Sequence, residues 1–107
     1  MLSEAVAASF FLRRGGRIIK HHYKTAYAEI DLWVEWPSGR ERWIEVKSIS
    51  DENWALQAIS EHQVQRINRA WTDELARNEN LIGLDLVLVD PNWTVEWFEN
   101  GFLDLIG

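Results

Sequence analysis

The chain has 107 residues, a net charge of −6 and no cysteine. That length fits a single domain over 1–107 with a core of its own, and without cysteine neither disulfides nor thiolate metal sites can form. The charge argues against a general nucleic-acid binder, which needs a basic footprint against phosphate.

Residues 3–14 suit a helix, with Ser3 as cap, Glu4 in the first turn and Val6, Ala7, Phe10 and Leu12 as an apolar stripe. Its basic residues follow the apolar run, the reverse of a secretory signal. No apolar run approaches the roughly 18 residues a membrane span needs. A soluble, cytoplasmic protein is the expectation, with no membrane partner. Gly15 and Gly16 stop the helix, and "RIIKHHY" opens a strand over about 17–24.

From Arg13 to Lys24 the chain carries Arg13, Arg14, Arg17, Lys20 and Lys24, while all 17 acids lie elsewhere. Such an arm can guide one strand of nucleic acid along one edge of an acidic body. It can equally be a solvated helix end followed by a protected edge strand. His21 and His22 are adjacent, so on a regular strand they face opposite sides, make a poor ligand pair and read as surface residues.

Two further strands, about 29–36 and 41–49, flank the turn "PSGR". The helical stretch 51–80 has a break near Ser60, which can cap a fresh helix from Glu61. "LDLVLV", 84–89, reads as a strand buried on both faces, and "PNWTVEWF" as one more with Trp93, Val95 and Trp97 on one side. The order α-β-β-β-α-β-β predicts an antiparallel meander, a crossover helix and a strand returning parallel to the third. That is an α/β fold with a mixed central sheet flanked by helices.

On the third strand Trp43, Glu45 and Lys47 share a face, and on the second Glu29 and Asp31 do. An E-V-K triplet is by itself often the wet face of a sheet. Two carboxylates and a lysine on neighbouring strands also suit a hard cation beside a phosphate. Their convergence depends on register. A two-residue loop at Ser38–Gly39 sets Asp31 opposite Val46 and turns it away from Glu45. Convergence requires a one-residue slip, which Gly39 can supply. The slip is the expectation.

"AEIDL" followed by "WIEVKS", with "FLRRGGRIIKHHY" before them and "EHQVQRINRAW", "LDLVLVD" and "ENGF" after, resembles the PD-(D/E)xK nuclease superfamily over nearly the whole chain. It is most like the YraN-type branch and is similar to archaeal Holliday junction resolvases. The resemblance implies a restriction-endonuclease-like α-β-β-β-α-β core and Mg²⁺- or Mn²⁺-assisted hydrolysis of DNA, branched or structured, at repair or recombination intermediates. Asp31 and Glu45 match the metal ligands, with the Val46 carbonyl completing the set and Glu4 at the helix-borne acid. Lys47 matches the catalytic lysine, and Gln63 the Lys or Gln that faces the site. Ala28 stands where the branch usually has Gly, and Gln63 where it commonly has Lys.

Arg13, Arg14, Arg17, Lys20, Lys24 and Arg66 are the candidate DNA contacts. Arg66 and Arg69 share a helical face, which is either that contact or a solvated surface. Of the seven tryptophans, Trp43, Trp71, Trp93 and Trp97 fit core or interface positions. Trp33, Trp36 and Trp54 are read as packed rather than as stacking platforms for bases. An edge bearing Trp93 and Trp97 offers a homodimer surface. The alternatives to a nuclease are a nuclease-like module that binds DNA or protein without cutting, and an acidic interaction protein in which EVK is incidental.

Overall fold

The computed structural model describes residues 2–49 and 59–105. Trp54 lies outside them. Helix α1 (Leu2–Arg13) leads into strands β1 (Arg17–Lys24), β2 (Glu29–Glu35) and β3 (Glu41–Ser48). Helix α2 (Glu61–Leu75), β4 (Leu81–Val89), β5 (Val95–Phe98) and a short 3-10 turn (Leu103–Leu105) follow. The sheet order is β1-β2-β3-β4-β5, with β3 and β4 parallel and the other neighbours antiparallel. The expected meander, crossover and parallel return are all present. No described helix is long and apolar enough to cross a membrane.

The two faces of the sheet are covered differently. Ala7, Ala8 and Phe11 of α1 pack on Leu32, Val34, Ile44, Val46, Val87 and Val89. Ile67, Ala70 and Trp71 of α2 pack on Ile30, Trp33, Trp43, Leu84 and Leu86. The alternation of β3 therefore sends Val46 to the α1 side and leaves Glu45 and Lys47 on the α2 side. Ser60 caps α2, as its sequence position suggests, with its Oγ accepting from the Gln63 N–H at 3.1 Å.

β4 begins three residues before its predicted start. Gly83 lies within the strand where the Arg42 guanidinium crosses it. A Cβ there would stand 2.2 Å from Arg42 Nη1. The last strand is shorter than expected. Trp93 precedes it in a turn, at φ 62 and half exposed. Trp97 packs edge-on to Phe10 and Phe11. Trp97 is thus partly buried against the α1-side cluster, while Trp93 keeps half its surface exposed. Trp33 and Trp36 pack as expected.

Candidate functional site

The turn between β2 and β3 sets the geometry of everything that follows. The Trp36 N–H donates to the Arg40 carbonyl at 2.9 Å, so three residues, Pro37 to Gly39, form the loop. Gly39 supplies the left-handed φ of 89° that such a loop needs. The extra residue is the expected slip. Pairing runs from Glu35 with Glu41 to Leu32 with Ile44, and one further step sets Asp31 opposite Glu45.

The ladder between β2 and β3 stops at that step, and side chains take over the backbone donors. The Val46 N–H donates to Asp31 Oδ2 at 2.8 Å, and the Asp31 N–H donates to Glu45 Oε1 at 3.2 Å. The pleat is irregular here as well. Ile30 packs with the α2-side cluster while Leu32, two residues on, packs with the α1-side cluster. Two carboxylates are thus held where the central strands part.

Other elements converge on the same point. The hydroxyls of Ser3 and Ser48 hydrogen-bond, tying the first turn of α1 to the end of β3. That contact seats buried Glu4 beside Asp31, with His22 of β1 alongside, and the ligand atoms of these three residues lie within 4.8 Å of one another. From the far side Lys47 Nζ donates to Gln63 Oε1 at 3.2 Å, fixing the ammonium against α2.

Crowding of acids has an electrostatic cost. Burial pushes Asp31 up to about 6 from 3.8, with the nearby Glu4 charge adding to the effect and the Val46 N–H, Lys47 and His22 opposing it. Burial, then the Asp31 charge, pushes Glu45 well above the usual carboxylate range. Glu45 is only 2% exposed. Buried Glu4 Oε1 has no hydrogen-bond partner. A set of buried oxygen donors, one of them orphaned and two resisting ionisation, fits a hard divalent cation, which neutralises all three. Asp31, Glu45 and Glu4 can hold it, with the Val46 carbonyl as the fourth donor.

Because the folded chain takes up a proton at Asp31 near pH 6 and the unfolded chain only near 3.8, ionising Asp31 destabilises the fold. Its contribution is fully present below about pH 4 and is lost as pH rises through about 6. Asp31→Asn in chelator therefore raises the unfolding free energy at pH 7.5 by on the order of 1–3 kcal/mol, with the gain vanishing near pH 4. Urea melts at the two pH values check this, and a loss of stability at pH 7.5 would contradict it.

The remaining candidates divide by position. Arg66 lines a cleft of about 390 Å³ with Tyr27, Ala28, Glu29, Gln63 and Ile67, next to the Lys47–Gln63 hydrogen bond. Arg69 lies over the Tyr27 ring, its Cζ 4.8 Å from the centroid. Lys24 is in register with Glu29 at the same end of β1. Arg13, Arg14 and Arg17 stand at the other end of α1, roughly 14 Å from Glu4 along the helix. Arg14 is spent on the Phe10 ring and Arg17 on Glu35, and Lys20 lies 5.8 Å from the Tyr23 ring. His22 is the residue that sequence reasoning passed over. Regular alternation does not bring it to the site, whereas its left-handed φ of 48° does, and no spacing rule announces such a residue inside a strand.

An α/β core of α-β-β-β-α-β order, with acids at the parting of its two central strands, is a restriction-endonuclease-like arrangement. The sequence pattern of the uncharacterised protein family UPF0102 matches residues 3–89, and the chain belongs to that family. Its relatives include a UPF0102 protein of Shewanella sediminis, 31% identical over 92% of this chain and 86% of that one. A UPF0102 protein of Rhizobium etli is 32% identical over 95% of this chain and 86% of its own length. Among solved structures, SfsA of Pyrococcus furiosus in complex with Ca²⁺ aligns with a TM-score of 0.36 at 12% identity. That alignment covers 94% of this chain and 61% of that one.

Proposed function

We propose that this protein is a divalent-cation-dependent nuclease that hydrolyses phosphodiesters in branched or otherwise structured DNA. One observation carries the reading: Asp31 and Glu45 are fixed side by side by each other's strands, with Lys47 presented next to them on the same strand as Glu45. Mg²⁺ or Mn²⁺, when bound, supplies charge neutralisation at the scissile phosphate and a more acidic water.

The chain's own residues do the rest. Asp31, Glu45, Glu4 and the Val46 carbonyl would hold the ion, and because these donors are backbone-anchored or buried they would need little rearrangement. Lys47, steered by Gln63, takes the proton of the attacking water or steadies the charge developing on phosphorus. The cleft beside Gln63 gives the substrate a way in. Arg66 lines it and would meet a phosphate there.

The test is single-turnover cleavage of labelled linear duplex, nicked duplex and a four-way junction, with protein in excess, in Mg²⁺, Mn²⁺ or chelator. The account expects cation-dependent cutting, with the junction cut fastest. A second reading, a module that binds and does not cut, draws on the net charge of −6 and on basic residues committed to internal contacts. Cation binding without cleavage of any substrate would favour it.

A further inference from the structure

We infer that His22 is a metal ligand, forming with Glu4 and Asp31 a second cation position that favours Mn²⁺ or Zn²⁺ over Mg²⁺. The inference rests on the reading above and deepens it, because Asp31 and Glu4 become ligands shared between the two positions. Three independent features lead to it.

The first is orientation. His22 Nδ1 lies 2.7 Å from Glu29 Oε1 with hydrogen-bond geometry. An ionised carboxylate only accepts, so Nδ1 is the donor to Glu29 and Nε2 is the nitrogen turned to the acids. A carboxylate holding one ring nitrogen while the other faces a cluster of acids is how metal-binding histidines are usually fixed.

The second is the approach of Nε2 to Glu4. Nε2 stands 2.8 Å from Glu4 Oε1, yet that oxygen has no hydrogen-bond partner, so no N–H points along the line between them. The two atoms aim past one another, as neighbouring ligands of one ion do. Adjacent ligands of an octahedral ion with bonds of about 2.1 Å stand about 3 Å apart, and opposite ones about 4.2 Å apart. The 4.8 Å spread of the three ligand atoms needs only a small closure to match.

The third is backbone strain. His22 holds φ 48° inside β1, a strained conformation that persists where the surroundings enforce it. It carries the ring to the α1 side, where Glu4 is. Imidazole suits Mn²⁺ and Zn²⁺ better than Mg²⁺, which prefers oxygen donors and retained water.

Two measurements on the intact chain with Mn²⁺ alone decide the matter. Calorimetry should count two ions per chain for the wild type and one for His22→Gln, a substitution at a half-exposed edge position that the fold tolerates. Spin-echo spectroscopy of the bound Mn²⁺ should show coupling to a directly bound ¹⁴N in the wild type and none in His22→Gln. Glu29→Gln should keep the nitrogen coupling while weakening the second ion about tenfold. If one ion binds, is lost in Glu45→Gln and is unaffected in His22→Gln, with no nitrogen coupling, the His22 assignment is overturned while the nuclease reading stands. If no Mn²⁺ binds at all, both fall.

Discussion

Lys47→Ala lowers the single-turnover cleavage rate by about 10²–10⁴ while leaving Mn²⁺ affinity unchanged or slightly improved. The size is that of a positioned proton-transfer or charge-stabilising group. The split arises because Lys47 touches Gln63 and not the acids, so removing it takes a positive charge away from the cation site without removing a ligand. Lys47→Arg then separates the two roles of the amine. A guanidinium keeps the charge but cannot give up its proton. Restored cutting would mean that the lysine steadies charge, and persistent loss that it takes the proton. A Lys47→Ala rate within threefold of wild type would exclude Lys47 from the reaction.

Asp85→Ala destabilises the fold by about 3–5 kcal/mol, a large part of the 5–15 kcal/mol typical of a whole domain. Asp85 is fully buried. Its carboxylate accepts from Arg42 Nη1 at 2.8 Å, from Trp97 Nε1 at 2.8 Å and from the Asn100 N–H at 2.7 Å. Burial raises its pKa, opposed by the Asn100 N–H, Trp97 and Arg42. One side chain therefore joins β3, β4, β5 and the turn after β5. Truncation leaves a guanidinium only 12% exposed without its counter-charge and two buried donors unmet. For a chain of this size the melting temperature should fall by roughly 15–25 °C. Asp85→Leu combined with Arg42→Met, which removes charge and partner together, should cost much less. Equal losses in the single and double variants would contradict this account of the buried ion pair.

These two residues also mark how far the sequence could be read. Lys47 was legible, because strand alternation groups it with Glu45 and the resemblance names both. The convergence of Asp31 with Glu45 was legible only conditionally. It turned on whether the "PSGR" loop held two residues or three, and Gly39 at φ 89° decided for three. Asp85 was not legible. Inside "LDLVLV" it reads as a minor blemish in an apolar strand, and its partners lie 12 to 43 residues away in sequence. His22 was hidden by a backbone conformation that composition does not encode. Local chemistry, namely caps, turns and alternation, was readable from the chain. What depends on a distant partner needed the fold.

The most direct test of the central claim, that Asp31 and Glu45 form a cation site, is a calorimetric titration of the chain with Mn²⁺ beside Asp31→Asn and Glu45→Gln. It requires no guess about the substrate. Saturable binding to the wild type is expected, abolished by Asp31→Asn and losing at least the ion beside Glu45 in Glu45→Gln. Absence of binding to the wild type, or binding that neither substitution alters, would contradict it.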